Sequence, residues 1–143
     1  MVIAKRVETE KEYEDAILIR RKVFVEEQDV PLHLELDEYD ADAVHFVAYD
    51  GEIPFGAGRI RTAEPTIGKI ERVCILPEYR GKSYGNLMMQ CMEDYAFSNG
   101  FQKLKLNAQS YAIPFYEKRS YTITSPEFLE AGIPHRAMDK SLT

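Results

Sequence analysis

The alternation of apolar and polar positions divides the chain into short strand-like stretches and two longer helical ones. Val2 to Val7 reads as a first strand. Thr9, with Glu12 three residues on, has the form of a capping box. Apolar residues follow at Tyr13, Ala16, Ile17, Val23 and Phe24, so the spacing predicts a helix ending near Gln28. Pro31 then lies in an irregular acidic segment. Val44 to Tyr49 is a strand, Asp50-Gly51 is a hairpin turn, and Glu52 to Thr62 is the returning strand. Within it, Gly56 and Gly58 predict a bulge or a close backbone approach. Lys69 to Leu76 alternates, with Ile70, Arg72, Cys74 and Leu76 on one face and Glu71, Val73 and Ile75 on the other.

Pro77 stops that strand. After "RGKSYG", Arg80 to Gly85, a helix is predicted to run to about Asn99. Its stripe is Tyr84, Met88, Cys91, Met92 and Tyr95, which reads as core filling, and Gly100 is its C-terminal stop. Lys103 to Asn107 is a strand, about Ala112 to Arg119 a short helix, and Tyr121 to Thr124 and Arg136 to Leu142 are closing strands. A hairpin half followed by a strand–helix–strand half predicts an α/β (α+β) fold, with a mixed sheet and helices on both faces. The 143 residues fit one domain, 1–143.

Composition removes several classes of function. Hydrophobic residues are 45% and charged residues 29%, the balance of an ordinary globular protein. No apolar run approaches the ~20 residues of a membrane span, and the charged N-terminus lacks a signal-peptide core, so a cytoplasmic, membrane-free protein is expected. With a net charge of -6 and no basic stripe, nucleic acid is not an expected partner. Cys74 and Cys91 read as free thiols, and no His/Cys/Asp spacing resembles a metal site. The charge is uneven, however. No Lys or Arg occurs between Lys22 and Arg59, a gap that holds ten acidic residues. This is either a solvated acidic loop or a mouth that attracts a cationic substrate.

The Gly-Lys-Ser inside RGKSYG is not a P-loop. That motif needs another glycine five residues before Gly81, where this chain has Leu76 followed by Pro77. What remains is a strand, a proline-stopped turn and a helix start, whose main-chain amides favour an anion. Gly81 and Gly85 allow close approach, and Arg80 and Lys82 add positive charge. This describes a site for a pyrophosphate, not one for breaking a phosphate bond.

"VCILPEYRGKSYGNLMM" resembles the acetyl-CoA-binding motif of the GCN5-related N-acetyltransferases, the GNAT family. The match lies at Val73, Ile75 and Pro77, then Arg80, Ser83 and Gly85. "AIPFYEKRSY" is similar to the family's second motif at Ala112, Phe115, Tyr116 and Lys118, and "IRRKVFVEEQDVP" looks like the ElaA/YjcF-type branch of small bacterial members.

The resemblance implies a mostly antiparallel sheet of about six to seven strands. It implies direct acetyl transfer from acetyl-CoA to a primary amine of a small molecule, such as an amino sugar or polyamine. Acetyl-CoA is then the acyl-donor substrate, with no metal. Val73, Cys74, Ile75, Arg80, Gly81, Lys82, Ser83, Tyr84, Gly85, Asn107, Gln109 and Tyr116 become the expected acetyl-CoA contacts. Tyr116 is also the expected proton donor to the leaving sulfur, and Glu71 the expected base. Asn107, Gln109 and His135 are further candidates to line the acceptor site. Family members often dimerise, so a homodimer is compatible. Three departures, Ser83 and Ser120 for family glycines and Gln109 for a frequent Asn, leave an alternative: a non-catalytic acyl-CoA-binding sensor on the same fold.

Overall fold

A computed structural model describes residues 1–143. Strand β1 (Val2–Arg6) leads into helix α1 (Glu10–Arg20), which continues as a π-helical segment, Arg21–Glu27. The predicted capping box forms: Glu12 N donates to Thr9 Oγ1 at 3.1 Å, and Thr9 N donates to Glu12 Oε1 at 3.2 Å. The helical run ends at Gln28 as expected, but Gln28 N donates to the carbonyl of Val23, five residues back. Helix α2 (Leu32–Glu35) and a 3-10 turn, Glu38–Ala41, follow in the acidic segment. Then come β2 (Val44–Asp50), β3 (Ile53–Glu64), β4 (Ile67–Ile75), α3 (Tyr84–Ser98), β5 (Lys103–Gln109), α4 (Ile113–Glu117), β6 (Thr122–Ile123), β7 (Phe128–Glu130) and β8 (Ile133–Ser141).

The eight strands form one sheet in the order β1-β2-β3-β4-β5-β8-β6, with β7 paired to β8. Only β4 and β5 run parallel. The strand not anticipated from sequence is β7. It turns into β8 through Ala131 and Gly132, both at positive φ (51° and 76°). His45 meets Tyr13 of α1 while its neighbour Phe46 meets Tyr95 of α3, and adjacent strand residues point to opposite faces. The two long helices therefore cover opposite sides of the sheet. On the α3 side, Met88 and Met92 of the predicted stripe are fully buried, with Met89 and Ala96 beside them, while Tyr84, Cys91 and Tyr95 are half-buried at its margin.

Gly58 is where α3 and the sheet touch. A Cβ there would lie 2.8 Å from Met92 Sδ, so the backbone approach requires glycine. Opposite Gly58, β4 carries one residue too many. Ala57 pairs with Cys74 and Arg59 with Glu71, leaving Arg72 and Val73 in a bulge with Arg72 at φ 61°. The strict alternation predicted for β4 breaks at this point.

Part of the acidic segment is folded inward onto two buried arginines, while Glu26, Asp29, Glu38, Asp42 and Glu52 stay exposed. Arg20 donates to Glu35 Oε2 (2.8 Å) and Asp40 Oδ1 (2.6 Å). Arg59 donates to Asp37 (2.8 Å), Asp40 (2.7 Å) and Glu71 (2.8 Å). Arg72 reaches across to Glu35 (3.1 Å) and Asp37 (3.1 Å). Arg20 falls on the buried stripe of α1 with Ala16, Ile19 and Val23, a charge on an apolar face that only these acids can match.

Arg20→Ala leaves Glu35 with only Arg72 and Asp40 with only Arg59 in the interior, and is expected to cost about 3 kcal/mol, read from chemical denaturation. The same network sets the acid response. Burial disfavours the charged forms of Asp37, Asp40 and Glu71, but hydrogen bonds from Arg59 and Arg20 outweigh it and hold all three carboxyls below their ordinary values. Stability from groups lowered in the folded state is fully present above their unfolded values and lost as pH falls through the folded ones. Melting temperature is expected to be level above about pH 5 and to drop steadily below about pH 4. A melting temperature unchanged down to about pH 3 contradicts this.

Candidate active site

Strands β4 and β5 are hydrogen-bonded only from Ile67–Lys103 to Ile70–Leu106. Beyond that point they separate, and β4 from Glu71 to Ile75 presents to the gap a main-chain edge with no strand partner. A cavity of about 640 Å³ fills it. Of the residues expected from sequence to touch acetyl-CoA, Val73, Cys74, Ile75, Arg80, Gly81, Ser83, Tyr84, Gly85, Asn107, Gln109 and Tyr116 all line this cavity, as does Glu71. Lys82 does not; its ammonium lies 5.9 Å over the Tyr79 ring.

At one end of the cavity, the chain turns through Pro77–Tyr79 into α3. Five consecutive main-chain amides, Gly81 to Gly85, donate to no acceptor within the protein. They form a cluster of free donors at the positive end of a 15-residue helix. Gly81 (φ 77°) and Ser83 (φ 65°) hold left-handed backbone there. Gly85 is tight for a different reason: a Cβ would lie 3.2 Å from the Phe115 ring of α4, which would have to shift by a few tenths of an ångström. Arg80 donates to the carbonyl of Ile75 (2.9 Å) and makes a two-pronged pair with Glu27 (2.7 and 2.7 Å). Such an exposed pair contributes about 0–1 kcal/mol, so an incoming anion displaces Glu27 easily.

Ser83 and Ser120 (φ 75°) both occupy a conformation that glycine adopts without strain. At Ser120 this closes α4, with Tyr121 N donating to Tyr116 O at 3.1 Å. The two serine-for-glycine departures therefore store backbone strain. Ser83→Gly and Ser120→Gly are each expected to stabilise the protein by about 0.5–1 kcal/mol, which calorimetry reads as a melting temperature higher by about 2–4 °C. A lower melting temperature in either variant contradicts the assignment of strain.

Tyr116 lies in the cavity wall between Phe115 and Tyr121 (ring centroids 5.0 and 5.8 Å). Its hydroxyl has no partner within the protein and is not sealed off from open space. Burial raises the phenol above its ordinary value, so it keeps its proton. Burial also pushes the Cys74 thiol up to about 12, which disqualifies it as a nucleophile near neutral pH.

Glu71 is not placed as a free base. Its Oε1 accepts from Arg59 (2.8 Å) and Arg61 (2.9 Å), and these pairs favour the carboxylate over its protonated form. Asn107 and Gln109 also have partners. Asn107 Nδ2 donates to Glu130 Oε1 (3.1 Å), and Gln109 Nε2 donates to Gln28 Oε1 (2.9 Å) across the gap.

A second cavity, of about 280 Å³, adjoins the first. Phe24, Gln28, Glu71, Arg72, Gln109, Glu130 and His135 line both, so they form the neck between them. Of these, Phe24, Gln28, Arg72 and Glu130 were not expected at the site from the sequence. Phe24 and Gln28 are only four residues apart, but nothing in a one-dimensional pattern says that the end of the first helix reaches β5.

Comparison with known proteins assigns this architecture to a family. A family model described as "Acetyltransferase (GNAT) domain" matches residues 8–142. The chain is 45% identical over 140 residues to YjcF of Bacillus subtilis (strain 168), described as an uncharacterized N-acetyltransferase, with 97% of each chain covered. Among solved structures, a Lactobacillus plantarum protein provisionally titled an N-acetyltransferase superposes with a TM-score of 0.90 at 27% identity, over 100% of this chain and 98% of that one. Escherichia coli ElaA superposes with a TM-score of 0.86 at 20% identity, over 98% and 99%, a likeness of fold alone. The chain belongs to the GNAT acetyltransferase family and is an acyltransferase.

Proposed function

We propose that this chain transfers an acetyl group from acetyl-CoA directly to the primary amine of a small-molecule acceptor. The observation that carries the reading is the open edge of β4, which ends in the five unpaired amides of Gly81 to Gly85. An extended pantetheine chain adds to such an edge as a strand would. Its pyrophosphate then reaches the helix start, and Arg80 exchanges Glu27 for phosphate oxygens.

The acceptor nitrogen attacks the thioester carbonyl. Negative charge grows on the carbonyl oxygen, which a β4 main-chain N–H near Ile75 stabilises. The carbon–sulfur bond breaks as the amide forms. The phenol of Tyr116 donates to the departing sulfur, which leaves as a thiolate and takes up a proton. Cys74 stays a thiol, so no acyl-cysteine intermediate forms.

Release of CoA thiol in the presence of a panel of amino sugars, polyamines, simple amines, amino acids and peptides tests this function. Turnover of at least one small amine is expected. Tight acetyl-CoA binding with silence across the whole panel favours the non-catalytic sensor instead.

A further inference from the structure

The neck between the two cavities contains a pair of groups that lacks a proton. His135 lies on β8 opposite Gln109 of β5 and Phe128 of β7, and it is buried. Its Nδ1 is 2.6 Å from the carbonyl of Ile133, which can only accept, so Nδ1 carries the hydrogen. In the neutral ring, Nε2 then offers a lone pair. It faces Glu130 Oε2 at 3.6 Å, and an ionised carboxylate is also an acceptor. The other Glu130 oxygen is fixed by Asn107. Two acceptors thus converge on one point with no donor between them. A protonated amine set to one side reaches both at about 2.8 Å and supplies the missing hydrogens.

The charge around this point selects among amines. The second cavity is lined by four carboxylates. Glu35 is matched by Arg20 and Arg72, Asp37 by Arg59 and Arg72, and Glu71 by Arg59 and Arg61. Glu130 has no Lys or Arg partner. The cavity therefore offers one uncompensated negative charge, and its wall away from the neck includes Val30, Leu34, Tyr39, Ala131 and Ile133. That combination suits one cationic nitrogen on a compact apolar body.

Granting the acetyltransferase reading above, we infer that the acceptor is a compact apolar monoamine, held by Glu130 and deprotonated by His135. The ammonium docks between Glu130 Oε2 and His135 Nε2. Nε2 takes one proton, and the imidazolium pairs with Glu130. The freed lone pair forms the carbon–nitrogen bond as the carbon–sulfur bond breaks. The second proton lost from nitrogen balances the one taken up by the CoA sulfur, and His135 returns its own to solvent. The charged groups facing His135 are Glu130 from β7 and, across the neck, Glu71 and Arg72 from β4. Gln109 of β5 and Gln28 of the first helical run face it without charge.

The test is steady-state thiol release with phenethylamine and isopentylamine against spermidine and glucosamine, together with Glu130→Gln and His135→Gln. The two monoamines are expected to be the better acceptors. Glu130 is half exposed and its amide variant keeps the shape, so that variant is expected to fold, to raise KM for the monoamine about 10- to 100-fold and to lower kcat by a smaller factor, because the imidazolium loses its counter-charge. His135→Gln is expected to lower kcat about 10²- to 10⁴-fold near neutral pH with acetyl-CoA affinity unchanged. Its deficit shrinks as pH approaches about 9–10, where solvent supplies the free amine. Preference for spermidine or glucosamine overturns the inference while leaving the enzyme reading intact. So does a His135→Gln deficit that is the same at every pH, the mark of a structural role. Acetyl-CoA binding without turnover of any amine overturns the enzyme reading and this inference with it.

Discussion

Gly85→Glu is expected to abolish acetyl-CoA binding, with no heat detectable by titration calorimetry at millimolar nucleotide. Two effects combine. Phe115 lies 3.2 Å from where the first side-chain carbon would go, so any side chain crowds the wall of the cavity that Gly85 lines. There it brings a carboxylate among amides that are otherwise free to receive a pyrophosphate. A negative side chain in the first turn is locally favourable to the helix, so the protein remains folded while the anion site is occupied from within. Gly85→Ala separates the two effects. It keeps the packing strain without the charge and is expected to bind more weakly but measurably. Normal binding by the glutamate variant would mean that the amides of 81–85 are not the cradle.

Tyr116→Phe is the second large effect expected. The hydroxyl has no structural partner, so its removal leaves the aromatic contacts with Phe115 and Tyr121 in place. Stability and acetyl-CoA affinity are expected to stay within error of the wild type. Removing a donor aimed at developing charge costs about 10²- to 10³-fold in kcat. The loss belongs in kcat rather than in KM, because the bond to sulfur matters most as that atom leaves. A variant with unchanged kcat would return Tyr116 to the role of a packed aromatic.

The parts legible in the sequence were those written locally. The Thr9 and Glu12 box, the Asp50-Gly51 turn, the methionine stripe and the glycine-bearing loop before α3 each depend on neighbours within a few residues. These sufficed for the fold class and for most of the cavity wall. What stayed hidden was written at long range. Arg20 and Arg59 draw Glu35, Asp37 and Asp40 inward, so three of the ten acids that read as a negative mouth are matched by arginine inside the fold. The same arginines change the meaning of Glu71. The family resemblance makes it the expected base, but Arg59 arrives from the neighbouring strand and holds it ionised. Glu130 stayed hidden because β7 is three residues long and takes its place only by pairing with β8.

The central claim is that the gap between β4 and β5 receives acetyl-CoA along its open edge. A crystal structure of the complex tests it most directly. The account predicts pyrophosphate oxygens within hydrogen-bonding distance of the amides of Gly81 to Gly85, pantetheine paired to β4 between Glu71 and Ile75, and the sulfur beside the hydroxyl of Tyr116. A bound acetyl-CoA whose pyrophosphate lies away from those amides, or whose sulfur lies outside the gap, would contradict it.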